Sequence, residues 1–300
     1  MEGVTNSPFR QVLLDCGRPD LFFTEFVSVD GLFSAGQAAV AHRLKYTPQE
    51  KPLIAQVWGK DPEKFFKAAK YMAEAGFDGV DINMGCPVNK VIKNGCCSAL
   101  IEDPPLAKEI FCATREGATQ LSVSIKTRIG LRKRITEEWG AFLLQLKPDL
   151  LTIHGRTAKD MYKVPADWDE IGKVVQLRND MHSKTLIIGN GDIVDYGDIL
   201  KKVELYGVDG VMVGRGILRN LFIFNAEGGD RSAQERVKLL KRHLHFFQET
   251  WGDSARFSTL KKYFKVYISA IPAAPRLRNE LMQTETIAEV LTILEKWQFD

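Results

Sequence analysis

The sequence predicts an α/β fold: a (β/α)8 TIM-type barrel whose first strand is truncated, followed by an all-helical C-terminal domain. Three observations support it. Seven β-rich runs alternate with helical patterns, which implies parallel strands because each crossover needs a dozen or more residues. No Gly-x-Gly-x-x-Gly fingerprint follows any run, which disfavours an open doubly wound sheet. Polar or glycine-rich groups stand at the ends of six successive runs, where such a barrel builds its site.

The runs cover residues 21–26, 53–58, 79–83, 121–127, 150–154, 186–189 and 208–213. Ahead of them, Met1-Glu2-Gly3-Val4 reads as the loop after a first strand, and a helix follows over Ser7–Cys16. The clearest crossover helix has Asp61 as N-cap, Pro62 at its first position and Gly76 just past its end. Its Phe65, Ala69, Met72 and Ala73 share one face. Asp103-Pro104 opens a second helix in the same way, and further helices are predicted over 168–177 and 195–205. From about residue 224 the pattern changes to a polar, glycine-rich link. Helices then follow over 234–250, 259–271 and 284–297 with no strand between. The predicted division is a barrel over 1–229 and a helical domain over 230–300.

Apolar content of 45% and charged content of 26% are those of a soluble globular protein. No run of about 18 apolar residues is present, so no membrane span is expected. The start has no basic-then-apolar leader. The five cysteines lack paired C-x-x-C spacing, which points to a reducing, cytoplasmic setting and no metal.

The site is organised around Val80 to Asn94. Gly85 permits a turn after the strand and Pro87 stops its continuation, leaving Asn83 and Cys86 at the strand end. Most free cysteines are buried small hydrophobes; one held between glycine and proline at a strand end is placed for chemistry. Gln56, Lys126, Arg128, His154 and Arg156 stand at neighbouring strand ends. Singly, Lys126 also reads as a solvated end and His154 as a satisfied core group; the succession favours one pocket. The turns over 188–193 and 213–218 are glycine-rich, follow the last two runs and lead into helix starts. Such a pair suits a phosphate, with Arg215 adding a fixed charge.

Charge is lopsided. Residues 236–278 hold ten Lys or Arg against Glu249 and Asp253, a net of +8 in a chain of +3, so the remainder carries −5. His243, His245, Phe246, Phe247, Tyr263 and Phe264 interleave with these cations, and Arg132-Lys133-Arg134 adds a basic cluster after Lys126. A solvated face over an ordinary core is the bland reading; beside an acidic barrel, a polyanion partner is the better one.

These segments together resemble the tRNA-dihydrouridine synthase family, flavin enzymes that reduce uridines in tRNA. The resemblance covers most of the chain. It rests on residues 2–10, Thr24-Glu-Phe, Gln56-Val-Trp-Gly, Asp81-Ile-Asn-Met-Gly-Cys-Pro, Lys126-Thr-Arg-Ile-Gly, Ile153-His-Gly-Arg-Thr, 162–168, Gly189-Asn-Gly-Asp and Gly214-Arg-Gly. It implies FMN in the barrel mouth, NADPH as reductant and tRNA held by the basic helices, with a monomer as the expected assembly. Gln56 and Lys126 would contact the flavin ring, with His154 close by and Met1, Glu2 and Gly3 at its edge. Asn190, Gly191, Asp192, Gly214 and Arg215 would hold its phosphate. Asn83 and Arg156 would hold the uridine, and Cys86 matches the family's proton donor. Cys96 and Cys97 depart from the pattern, since the family places small Gly or Ala residues there. Two alternatives remain at this level: an FMN barrel reducing a free pyrimidine, similar to the dihydroorotate dehydrogenases, and a non-catalytic RNA-binding protein.

Overall fold

Runs rich in Val, Ile and Leu make strands that can be covered on both faces, and here they form one parallel, curled sheet. The computed structural model describes residues 1–228, 231–269 and 273–297. Its strands are β1 (Phe22–Phe23), β2 (Val27–Ser28), β3 (Leu53–Trp58), β4 (Gly79–Met84), β5 (Ser122–Arg128), β6 (Leu150–His154), β7 (Leu186–Asn190) and β8 (Gly210–Met212). Their order is β1-β3-β4-β5-β6-β7-β8, with β2 also on β3. Of the run predicted over 21–26 only Phe22–Phe23 is strand, and a second short strand, Val27–Ser28, follows beyond it. Thr24 explains the break: its hydroxyl accepts the Gln56 N–H (3.0 Å) and donates to Glu25 O (2.7 Å), standing in for ladder partners.

Among the described residues no ladder joins β8 to β1 or β2, so the barrel is open on that side, as a truncated first strand predicts. The turn at residues 1–5 lies across the opening. Met1 Sδ faces Gly214 beyond β8, and the Gly3 N–H donates to Glu25 beyond β1.

Register brings the polar residues to one end. Gln56 pairs with Asp81 and Asp81 with Ser124; Asn83 pairs with Lys126 and Lys126 with Thr152. One row higher, Arg128, His154, Asn190 and Met212 align. The helix Pro62–Glu74 is capped as predicted, with Asp61 accepting from the Glu63 and Lys64 N–H groups. It buries Phe65, Ala68, Ala69 and Met72. Truncating a fully buried phenylalanine such as Phe65 costs about 3–5 kcal/mol.

The C-terminal helices are Ala233–Trp251, Lys261–Ile268, Ala274–Gln283 and Ile287–Lys296. The division predicted at 229/230, and the helix end predicted at residue 271, lie outside the described residues. These helices are packed onto the start of the chain. The Phe9 ring stacks on Tyr263 at 5.1 Å, His243 meets Tyr263 edge-on at 4.7 Å, and Arg242 pairs with Asp15 at 2.6 Å. The interleaved aromatics therefore need correcting as a face for a polyanion: His243, Phe247, Tyr263 and Phe264 are buried core. Lys238, Arg242, Arg256, Lys262, Lys265, Arg276 and Arg278 remain exposed. Among the described residues, no helix is long and apolar enough to cross a membrane.

Candidate active site

A chain of polar side chains starts inside the barrel and ends on the backbone of Cys86. Asp81 is fully buried and accepts from Ser124 Oγ (2.6 Å) and Gln56 Nε2 (2.7 Å). With its nitrogen committed to Asp81, Gln56 turns its Oε1 outward and accepts from Asn83 Nδ2 (2.9 Å). Asn83 Oδ1 in turn accepts the N–H groups of Gly85 and Cys86, each at 3.0 Å. One carboxylate thus sets the orientation of two amides, and the second amide fixes the turn that carries the thiol. Burial raises the Asp81 pKa, opposed by its bonds from Ser124 and Gln56 and by Lys126.

The other side of the turn is held by Arg128, which is buried and donates to Gly85 O (2.7 Å) and Thr157 O (3.0 Å). Ser98 Oγ donates to Cys86 O (2.8 Å). Cys86 is half-buried, and its thiol is lowered to about 7. The main cause is a hydrogen bond from the Cys97 thiol, helped by a backbone bond from Val88 and the charge of Arg128 and opposed by burial. The Cys97 thiol is correspondingly raised.

Lys126 rises from β5 between Asn83 and Asn190, donating to Asn190 Oδ1 (3.1 Å), while Asn190 Nδ2 donates to Met212 O (2.7 Å). Burial, then repulsion from Arg128, lowers Lys126 to about 8. His154 is held neutral far below its usual range by burial and by Lys126, Arg128, Arg156 and Arg215. Arg156 Nη1 lies 3.2 Å from His154 Nε2. A guanidinium only donates, so Nε2 accepts and the ring proton sits on Nδ1.

Arg156 is buried, and it also donates through Nε to Val164 O (2.6 Å) and through Nη2 to Asp192. The Asp192 carboxylate also accepts the Ala166 N–H (2.8 Å), so what Asp192 can offer an anion is its backbone N–H. Gly191 has φ +139°, and a Cβ there would lie 2.4 Å from Ala166 Cβ, so only glycine fits this turn. A Cβ on Gly214 would only reach ordinary contact with Met1 Sδ, at 3.9 Å. Arg215 is half exposed, with its guanidinium 3.9 Å from the Tyr162 ring centre. The helix after β7 has its N-terminus occupied by Asp195, which accepts from Asp198 N–H (2.8 Å). The glycine turns and Arg215, rather than this helix start, are therefore the groups suited to an anion. Glu2 pairs with Arg43 at 2.9 Å on the surface.

The structure brings Gln56, Asn83, Cys86, Lys126, His154, Arg156 and Asn190 to one mouth, with Met1 and Gly3 on its open side. Arg134 is paired with Asp167 at 2.7 Å. With Arg132 and Lys133 it lines a separate groove of about 610 Å³. Asp81 and Cys97 escaped the sequence reading as site residues. Asp81 had a signal: an acid two residues before Asn83 in an apolar strand must share its face. Cys97 had none, because its approach to Cys86 depends on loop conformation.

Comparison with known proteins places the chain in a family. The family model described as "Dihydrouridine synthase (Dus)" matches residues 1–299. A Staphylococcus aureus (strain COL) protein named "Probable tRNA-dihydrouridine synthase" is 41% identical over 303 residues, covering 99% of this chain and 91% of that protein. A Bacillus subtilis (strain 168) protein named "Probable tRNA-dihydrouridine synthase 2" is 42% identical, covering 99% and 92%. With its Asp81-Ile-Asn-Met-Gly-Cys-Pro turn and lysine-lined mouth, the chain belongs to the dihydrouridine synthase family.

Proposed function

We propose that this protein reduces uridines in tRNA to 5,6-dihydrouridine, with FMN in the barrel mouth and NADPH as reductant. The observation that carries the reading is the half-buried Cys86 thiol, fixed through Asn83 and Arg128 beside Lys126. The residues present suit FMN. A flat heteroaromatic ring with a phosphate calls for an amide, a cation and a neutral imidazole at one end, matched by Gln56, Lys126 and His154. At the other it calls for glycine turns with a fixed charge, matched by Gly191, Gly214 and Arg215.

When bound and reduced, FMN supplies the hydride that reaches uracil C6. Lys126 stabilises negative charge at the ring edge, and its pKa of about 8 keeps it mostly cationic at neutral pH. Cys86 gives its proton to C5, leaving a thiolate that the Cys97 hydrogen bond stabilises. An acid with a pKa near the working pH suits that role. The remaining N–H of Asn83 Nδ2 is free in direction to meet a uracil carbonyl. Arg156 acts through His154 and Asp192, to each of which it donates.

The uridine must leave its stack to reach the mouth, which requires a grip on the surrounding RNA. The helices after residue 230 supply it beside the opening: Lys262 donates to Gly3 O and Tyr263 Oη to Val4 O (2.5 Å). The test is incubation of the chain with FMN, NADPH and unmodified tRNA, counting dihydrouridine by nucleoside mass spectrometry. Dihydrouridine should form, and Lys126→Ala should weaken FMN about tenfold or more. A flavin-loaded protein that forms none would overturn the reading.

A further inference from the structure

The reduction proposed above uses one cysteine, yet the fold brings a second thiol to it. Cys97 opens the short 3-10 turn Cys97–Glu102, which Ser98 ties to the Cys86 carbonyl (2.8 Å). That bond holds residue 97 next to the Cys86 turn, with the Cys97 thiol near enough to act on the Cys86 thiol. Cys97 has φ +55°, in the left-handed region that favours glycine, so the turn carries a thiol where it needs no side chain. The two thiols differ in access: Cys86 is half-buried, whereas Cys97 is fully buried. The other thiols are placed elsewhere. Cys96 Sγ points to Asn94 O (3.7 Å), Cys16 is buried at the end of Ser7–Cys16, and Cys112 is exposed on the helix Pro104–Gly117.

We propose that Cys86 and Cys97 form a redox modification site, a dithiol that hydrogen peroxide converts to a reversible disulfide. The accessible Cys86 thiolate attacks one peroxide oxygen: an S–O bond forms, the O–O bond breaks, and the leaving hydroxide takes a proton to become water. Cys97 sulfur then attacks the Cys86 sulfenic sulfur. The S–S bond forms, the S–O bond breaks, and the departing hydroxide takes the Cys97 proton as a second water. Two thiols are oxidised and one peroxide is reduced. The nearby Arg128 charge favours the attacking thiolate. Burial of Cys97 leaves the oxidant a single entry point, and the second thiol intercepts the sulfenic acid before further oxidation. Loss of activity on disulfide formation rests on the acid role proposed for Cys86; disulfide formation itself does not.

The test treats the full chain with equimolar hydrogen peroxide and follows intact mass, cross-linked peptides and tRNA reduction before and after dithiothreitol. Each variant is compared with its own untreated sample. The wild type should lose 2 Da, yield a Cys86–Cys97 peptide and lose at least tenfold in rate, with recovery on reduction. Cys96→Ser should behave likewise. Cys97→Ser should instead gain oxygen mass on Cys86 and fail to recover after stronger peroxide. A disulfide through Cys96, or wild-type Cys86 oxidised with no link to Cys97, would overturn the proposal. A Cys86–Cys97 disulfide that leaves tRNA reduction intact would uphold it and refute Cys86 as the acid.

Discussion

Cys86 is tuned by a neighbour rather than by a general base, and this gives its titration a direction that can be measured. The Cys97 hydrogen bond favours the thiolate, so removing it raises the Cys86 pKa. A proton donor fails as pH rises through its pKa. Single-turnover tRNA reduction by the wild type should therefore fall above about pH 7. In Cys97→Ala the fall should move to higher pH; an unchanged or lowered limb contradicts the assignment. Asp81 acts further back. In Asp81→Asn the amide orientations of Gln56 and Asn83 lose their fixed reference, a loss of one or two buried hydrogen bonds worth about 1–2 kcal/mol. The expected outcome is a tenfold slower single turnover with the Cys86 alkylation rate altered and substrate KM nearly unchanged. Equal rates for both proteins would show that Asp81 is only packing.

At the scale of elements, the basic helices and the barrel share a core, which separates their charges from their packing. Exposed Lys238, Lys265 and Arg278 can be reversed without touching Tyr263 or Phe247. Each reversal to Glu should weaken tRNA binding and reduce its salt slope by about one or more. Binding that ignores both reversal and salt contradicts an electrostatic grip. The same interface carries an acid sensitivity. His243 is fully buried, donating to or accepting from Tyr267 Oη at 2.9 Å, and burial lowers it to about 3. The unfolded histidine, near 6.5, binds the proton that the folded one refuses, so stability falls as pH drops from about 6.5 toward 3. His243→Gln should flatten that part of a denaturant-midpoint profile; an identical slope contradicts it.

Across the whole molecule, what was legible in the sequence was the periodic part. Residues 53–58 and 150–154 are strands to the residue, and the Asp61 cap and Pro62 start are as read, because apolar pattern and capping act locally. The break at Thr24 was not legible, since it depends on a hydroxyl finding the Gln56 amide across the sheet. Nor were the burial of His243 and Tyr263, read as part of a charged surface, or the approach of the Cys97 turn, which Ser98 ties to the Cys86 carbonyl. Strand-end positions forecast which polar residues meet, while the direction of the amides and the partners of Arg156 emerge only from packing. The central claim is that this assembly places Cys86 as the proton donor to uracil C5. It is tested most directly by single-turnover reduction of unmodified tRNA with prereduced enzyme, comparing wild type with Cys86→Ala. The account expects Cys86→Ala to keep its fold, bind FMN and oxidise NADPH while forming dihydrouridine about 10² times more slowly or worse. Near-normal dihydrouridine formation by that variant would contradict it.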